Sequence, residues 1–157
     1  MQEENSTFNS LIQKLAGKNI IVTEHEPVRT SEEAAAIRGT SLESGAKAML
    51  LCTSGIMVLA VMSASRKLDW KLMKKIVGVR EIRFATEEEV NSRTRCIPGA
   101  VPPFGSLWGI QTYMDNSLQL QGTTINFNAG LRTKSVSMSL EDYLEVERPI
   151  VGNFTKA

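Results

Sequence analysis

The stretch AKAMLLCTSGIMVLAVMS, residues 46–63, contains two apolar runs that are separated by Thr53, Ser54 and Gly55. Apolar runs of strand length, joined by a short turn with glycine, are typical of a β-hairpin whose strands are buried. We therefore predict that residues 46–63 form a hairpin of buried strands.

Capping signals predict helices on both sides of this hairpin. Thr30 and Glu33 have the Ser/Thr-x-x-Glu spacing in which each side chain hydrogen-bonds an otherwise unpaired backbone amide, and Gly39 can end the helix. Apolar residues at helical spacing predict a helix over residues 6–16. Asp69 as a cap, Thr86 and Glu89 at the same capping spacing, and Ser139 with Asp142 predict further helices over residues 69–78, 86–93 and 139–146.

The remaining strand signals define the fold class. Strands are predicted over residues 19–27, 109–115, 123–128 and 134–139. Strands in hairpins with irregularly interspersed helices argue against a regular doubly wound sheet. With 157 residues, 42% of them hydrophobic, the chain can bury one core without metal or disulfide. We predict a single domain over residues 1–157 with a mixed α/β (α+β) fold, a mostly antiparallel mixed sheet or barrel surrounded by helices.

Cysteine usage and the lack of targeting signals favour a cytoplasmic protein. Cys52 and Cys96 have neither C-x-x-C nor Cys/His ligand spacing, which indicates reduced thiols and argues against a zinc site. The polar start MQEENSTFNSL is unlike a secretory signal, and no apolar stretch approaches the roughly 20 residues needed to cross a bilayer. We expect a cytoplasmic protein that needs no metal or other cofactor and does not enter a membrane.

The net charge of +1 hides one basic segment. Between residues 66 and 83, seven basic residues outnumber the two acidic residues, so this segment carries a charge of +5. It is either a solvated helix face balanced elsewhere or a surface for an anionic partner such as RNA. The candidate RNA-binding residues are Arg66, Lys67, Lys71, Lys74 and Lys75.

Most enzyme templates are absent from the sequence. His25 is the single histidine, so any Ser-His-Asp or Cys-His arrangement must include it, and no G-x-S-x-G motif accompanies it. The two common phosphate-binding glycine loops are also missing, which argues against a nucleotide triphosphatase. His25 precedes Pro27 at a strand end, where a surface or loop-stabilising role and a catalytic role both remain open.

Lys47 and the segment IPGAVPPFG, residues 97–105, are the remaining candidates for chemistry. Lys47 begins a buried strand, where a lysine is costly unless its ammonium group reaches water or an anionic partner. In residues 97–105, proline fixes the backbone while Gly99 and Gly105 permit close approach of another molecule. The segment is either a rigid surface turn or a wall of preset N–H groups that can bind an oxyanion.

Taken together, these blocks resemble the YbaK/prolyl-tRNA synthetase-associated editing domain family. The resemblance runs from HEPVRTSEEAAAIRG through GAKAMLL and IPGAVPPFG to INFNAGLRTKSVSMSLEDY, which is most of the chain. The order and spacing of the blocks are more specific than any one of them. The family consists of small α/β proteins that hydrolyse the ester between a wrong amino acid and tRNA.

The resemblance implies particular site residues. Lys47 matches the essential lysine of the family, and Gly99 and Pro103 match its G-x-x-x-P loop. The implied substrate-binding residues are His25, Phe104, Gly105, Asn126, Asn128 and Gly130. Alanine-specific members have His-Pro after the late strand, whereas the Asn-Ala-Gly of this chain resembles the cysteine-type and uncharacterised branches.

The implied function is trans-editing of a mischarged small amino acid, alanine or cysteine, on the proline tRNA, with a serine or threonine ester also open. The expected partners are mischarged tRNA and an aminoacyl-tRNA synthetase or multi-synthetase complex, and not DNA. Two alternatives remain: a non-catalytic tRNA- or synthetase-binding module of the same fold, and a thiol hydrolase that pairs Cys52 or Cys96 with His25.

Overall fold

The computed structural model describes residues 2–157. Its helices are α1 (Gln2–Lys14), α2 (Ser31–Arg38), α3 (Trp70–Val77), α4 (Glu87–Thr94), α5 (Ser117–Leu120) and α6 (Leu140–Glu147), with a 3₁₀ helix at Gly105–Trp108. Its strands are β1 (Ile20–Glu24), β2 (Ala46–Thr53), β3 (Ile56–Ser63), β4 (Lys67–Leu68), β5 (Arg83–Phe84), β6 (Gln111–Asp115), β7 (Thr124–Asn128), β8 (Lys134–Ser139), β9 (Ile150–Gly152) and β10 (Thr155–Lys156).

The predicted hairpin is confirmed as the β2–β3 pair. The strands pair antiparallel in full register from Ala46 opposite Ser63 to Thr53 opposite Ile56. The loop has only two residues, Ser54 and Gly55, and both have positive φ, 46° and 77°. This is the backbone that a two-residue turn between twisted strands requires.

Strands β2 and β3 lie within a five-stranded sheet of order β5-β2-β3-β6-β9. β2 pairs antiparallel with β3 and β5, whereas β6 runs parallel to both β3 and β9. A separate antiparallel sheet has the order β1-β8-β7, and β10 pairs with β4. The predicted mixed sheet is confirmed, and among the described strands five of the seven strand pairs are antiparallel. Of the two shapes predicted, the open sheet is correct, and the sheet does not close into a barrel.

The capping signals are also confirmed. Thr30 accepts a hydrogen bond from the Glu33 N–H, and α2 ends at Gly39 with a φ of 70°. Thr86 and Glu89 form both hydrogen bonds of a capping box, and the Asp69 and Ser139 side chains cap α3 and α6. Helix α1 begins earlier than predicted, at Gln2, because its polar first turn contains no residue that breaks a helix.

The central sheet separates two apolar cores because side chains of a strand alternate between faces. On β3, Leu59 and Val61 contact the core that contains α1, β7, β8 and the loop over residues 97–105. The alternate β3 residues Val58, Ala60 and Met62 pack against α3 and Phe154. The two larger sheets meet where the Asn126 N–H donates to the Ser44 carbonyl, beside a bridge to Gly45. This junction brings β7 next to the start of β2.

Asp115 fixes the C-terminal segment to the end of β6. It is buried, and its carboxylate accepts hydrogen bonds from the Phe154 N–H at 2.7 Å, the Thr155 hydroxyl at 2.8 Å and the Ser117 N–H at 2.9 Å. Burial alone raises the pKa of this carboxyl, but the hydrogen bonds from Phe154, Ser117 and Thr155 together hold it below its usual value.

We therefore expect the stability contribution of Asp115 to disappear in acid. Its pKa is lower in the folded than in the unfolded chain, so ionised Asp115 stabilises the fold above the unfolded pKa of about 3.9 and loses this effect as the pH falls through the folded value. At pH 7, Asp115→Asn should reduce the free energy of unfolding by about 2–3 kcal/mol, because the amide keeps one acceptor oxygen and its NH2 group faces a backbone N–H that has lost its acceptor.

Urea unfolding of both proteins at pH 7 and near pH 3 measures this effect. The difference between wild type and Asp115→Asn should shrink at the lower pH, and the other carboxyl groups cancel because both proteins share them. A difference that does not change with pH would contradict the assignment.

Candidate active site

A cavity of about 500 Å³ opens between α2, the start of β2, the end of β7 and the loop over residues 97–105. Its wall contains Lys47 and the arginines Arg29, Arg38 and Arg132. None of the described residues in the wall is acidic. The cavity is therefore suited to an anionic or electron-rich ligand.

Lys47 lies on a part of β2 beyond its pairing with β5, which involves only Leu51 and Cys52, and no other described strand pairs with Lys47 on that side. Its side chain is half-buried. Burial lowers the pKa of the ammonium group, the Glu32 carboxylate opposes this effect, and the charge of Lys67 adds to it. The Lys47 ammonium donates no hydrogen bond to any residue in the described part of the chain. It is a partly desolvated cation with open donor positions.

Gly99, Pro98 and Val101 also line the cavity. Gly99 has a φ of 91°, which an L-residue rarely adopts. Within residues 2–157, no acceptor receives a hydrogen bond from the N–H groups of Gly99 or Val101. Two backbone donors on the loop are thus unpaired at the cavity wall.

Pro103 and Phe104, in the second half of the loop, attach it to the apolar core. The Pro103 carbonyl accepts a 2.7 Å hydrogen bond from the buried Tyr143 hydroxyl. Phe104 has no exposed surface, and its ring meets Phe127 and Tyr143 edge to face. Neither Pro103 nor Phe104 lines the cavity. The structure thus separates Phe104 from Asn126 and Asn128, the two proposed substrate contacts that do line the cavity, because the Phe104 ring fills the core.

The two further glycines in the predicted site have packing roles. A Cβ atom on Gly105 would lie 2.4 Å from the Ile110 carbonyl oxygen, so Gly105 permits close backbone approach to β6. Gly130 has a φ of 91°, and its N–H donates to the Ala100 carbonyl, which ties the loop to the segment after β7. Neither residue lines the cavity.

Asn128 connects the loop to α2. Its side-chain amide donates to the Gly99 carbonyl at 2.8 Å, while its amide oxygen accepts from Arg38 at 2.9 Å. Arg38 also donates to the buried Ser135 hydroxyl at 2.8 Å. Because the guanidinium group can only donate, it fixes the orientation of the Asn128 amide and thereby the donor that holds Gly99.

His25 lies at the far end of the same network. Its Nδ1 is 2.8 Å from the Glu26 carbonyl oxygen, which can only accept, so this nitrogen carries the hydrogen. Its Nε2 is 2.7 Å from the Ser135 hydroxyl. His25 does not line the cavity. It is linked by Ser135 to Arg38, which does.

Asn126, in contrast, is a buried part of the cavity wall. Its side-chain amide donates to the Ser44 hydroxyl at 2.9 Å. No described residue donates to its amide oxygen, and this oxygen is not among the fully enclosed atoms. Asn126 therefore keeps an acceptor for a ligand.

Sequence reasoning missed Arg29, Arg38 and Arg132. A signal existed for Arg38, which follows the buried residues Ala34 and Ala35 by four and three positions and so shares their helix face. Burial lowers the pKa of Arg38 to about 10, and the guanidinium group remains charged at neutral pH. Arg132 comes from an irregular segment, for which periodicity gives no signal.

The five proposed RNA-binding cations separate into different environments. Lys71, Lys74 and Lys75 line a shallow groove along α3 with Trp70 and Arg80. Lys67 is exposed on β4, whereas Arg66 is engaged by hydrogen bonds to the Thr155 hydroxyl and carbonyl. The structure therefore brings together the three lysines of α3 and adds Arg80.

The thiols lie outside the cavity wall. Both cysteines are buried, and burial raises the pKa of the Cys52 and Cys96 thiols, which disfavours a reactive thiolate.

No group of three His, Cys, Asp or Glu side chains suited to a metal ion occurs in the described residues. No described helix is long and apolar enough to cross a membrane.

Residues 25–146 match the family model of the aminoacyl-tRNA editing domain. The chain is 33% identical over 162 residues to the multifunctional Ser/Thr-tRNA deacylase ProXp-y of Escherichia coli strain K12, across 99% of this chain and 97% of that protein. A protein of the same name from Escherichia coli O157:H7 matches equally.

Solved structures share the fold. A protein described as a candidate trans-editing enzyme for prolyl tRNA synthetase has a TM-score of 0.85 at 22% identity, and the match covers 96% of this chain and 98% of that one. The hypothetical protein APE2540 has a TM-score of 0.81 at 21% identity, with coverages of 96% and 99%. At these identities the similarity supports the fold alone.

Proposed function

Because this chain belongs to the aminoacyl-tRNA editing domain family, we propose that it is a trans-editing deacylase that hydrolyses the ester between a wrongly attached amino acid and the 3′ end of a tRNA. One observation carries the proposal. The cavity combines four cationic side chains and no described carboxylate with the unpaired N–H groups of Gly99 and Val101. Cations suit the terminal phosphates of tRNA, and two neighbouring N–H groups without an acceptor suit an oxyanion.

The proposed chemistry needs no catalytic triad. An aminoacyl ester is already activated, so the protein mainly orients a water molecule and stabilises the charge that develops on the carbonyl oxygen. Water adds to the carbonyl carbon, and the N–H groups of Gly99 and Val101 bind the resulting oxyanion. The C–O bond to the ribose then breaks, the ribose oxygen takes a proton, and the amino acid and tRNA leave.

Lys47 holds the substrate in this proposal. Its ammonium group, which has no hydrogen-bond partner among the described residues, binds the terminal phosphate or a polar group of the aminoacyl end. A ribose hydroxyl of the terminal adenosine assists the water, as the family resemblance implies. The carbonyl of Gly99 is held by Asn128, so the neighbouring donors keep their direction during the reaction.

The proposed substrates are esters of small amino acids. The cavity must hold the terminal ribose as well as the amino acid, which leaves little of its volume of about 500 Å³ for a large side chain. Serine and threonine come first, because the relative is a Ser/Thr-tRNA deacylase and the Asn126 amide oxygen can accept a hydrogen bond from a substrate hydroxyl. Alanine and cysteine, which were predicted from the sequence, remain candidate amino acids, and the proline tRNA remains the candidate tRNA.

Hydrolysis of a panel of esters on the proline tRNA tests the proposal. The panel contains serine, threonine, alanine, cysteine and proline, and the release of free tRNA is measured against the spontaneous rate. We expect faster release for at least one of the small mischarged amino acids than for proline. If tRNA binds but no ester is hydrolysed above the spontaneous rate, the chain is a non-catalytic binding module.

Arg38 should act through Asn128. In Arg38→Gln the Asn128 amide loses its strongest orienting partner, and we expect kcat on the best panel ester to fall about 10-fold. Asn128→Ala should produce a similar fall. Because both changes remove one connected network, the double variant should fall little further than either single variant. Independent, multiplying losses would show that Arg38 acts by another route.

A further inference from the structure

Phe84 is an aromatic residue that lies at the mouth of the cavity without being buried. Its side chain contributes to the cavity wall, yet the residue is 46% exposed. Single exposed apolar residues are common, so exposure alone implies nothing. The surroundings of Phe84 are what make it a candidate contact for a ligand that enters the cavity.

Trp70 connects Phe84 to the basic groove along α3. The two rings meet edge to face, with their centroids 4.8 Å apart. Trp70 also lines the groove, whose basic residues are Lys71, Lys74, Lys75 and Arg80. The surface therefore runs from the cavity, over two aromatic rings, to a row of cations.

The backbone that presents Phe84 is fixed by polar contacts. Strand β5 pairs with β2 opposite Leu51, and Arg83 makes two hydrogen bonds to the Glu89 carboxylate, at 2.7 and 3.0 Å. The same guanidinium group donates to the Phe84 carbonyl at 3.0 Å. These contacts hold the backbone of Phe84 in place, so its ring has a fixed position on the surface.

We propose that Phe84, backed by Trp70, is a stacking platform for a nucleobase of the single-stranded 3′ end of tRNA. This inference rests on the proposed function. An aromatic face beside a positively charged groove is the arrangement by which proteins bind single-stranded nucleic acid, because every base has a face that can stack and every nucleotide has a phosphate. The base stacks on Phe84 while the preceding phosphates lie over the lysines of α3.

The test measures binding and turnover separately. The binding probe is a short single-stranded RNA that ends in CCA, labelled for fluorescence anisotropy. Phe84→Leu keeps an apolar side chain but removes the aromatic face, so its Kd should rise about 10-fold. Phe84→Tyr keeps the face and should stay within twofold of wild type, as should the control Leu120→Ala, whose side chain is exposed and outside both the cavity and the groove.

Turnover of the best panel ester gives the second measurement. Phe84→Leu should raise KM about 10-fold and change kcat less than twofold. A Kd for Phe84→Leu within twofold of wild type overturns the platform, and so does an equal loss in Phe84→Tyr, which would indicate a packing role. If wild type binds the RNA through Phe84 but hydrolyses no ester, the deacylase proposal fails while the platform stands.

Discussion

Lys47→Ala is expected to lower kcat/KM for the best ester by about 100-fold or more. The variant removes a cation that lines the cavity and donates no hydrogen bond to any described residue, so the change mainly affects contacts with the substrate. Removing one preset electrostatic contact to a transition state typically costs a factor of this size. Single-turnover deacylation of mischarged tRNA measures it directly.

Stability measurements separate this effect from unfolding. Burial lowers the pKa of Lys47, so the charged group is less favourable in the folded than in the unfolded chain at neutral pH. Lys47→Met keeps the length of the stem without the charge, and its Tm should equal or exceed that of wild type. Activity near the wild-type level in either variant would remove Lys47 from the mechanism.

Gly105→Ala is expected to reduce the free energy of unfolding by about 3 kcal/mol. The added Cβ would lie 2.4 Å from the Ile110 carbonyl oxygen and 2.6 Å from the Thr112 hydroxyl oxygen, so backbone must move. That movement breaks the 2.9 Å hydrogen bond from the Gly105 N–H to Thr112, which also donates to Glu147. The loop over residues 97–105 should shift with it, and deacylation should fall.

Gly109→Ala is the matched control. Gly109 lies in the same segment with a φ of 68°, but a Cβ there meets nothing within 4 Å. This change costs only the left-handed backbone penalty of about 1 kcal/mol. Urea unfolding compares the two variants. Equal destabilisation would contradict the assignment, because a Cβ on Gly105 would then cost no more than a left-handed alanine that meets no neighbour.

Structural elements that depend on contacts between near neighbours in the chain were predicted from the sequence. The β2–β3 hairpin, the capped helix α2 and the capping box of α4 depend on contacts between residues a few positions apart, and all three were predicted. The family was also identified from the order of its sequence blocks, and this identification is confirmed. Lys47 and Gly99 were selected because their residue types are unusual for their positions, and they do line one cavity.

Only the tertiary structure could show which residues of the loop face the core and which residues line the cavity. In the sequence Phe104 and Gly105 continue the glycine-proline motif, but packing turns them toward the core and β6, whereas Phe84 comes to the cavity mouth. Arg38 reaches Asn128 across 90 positions of the chain. Local periodicity fixes which backbone segments form, because it depends on near neighbours. Which side chains share a cavity depends on how the sheets meet at Ser44 and Asn126, a long-range contact that no local pattern encodes.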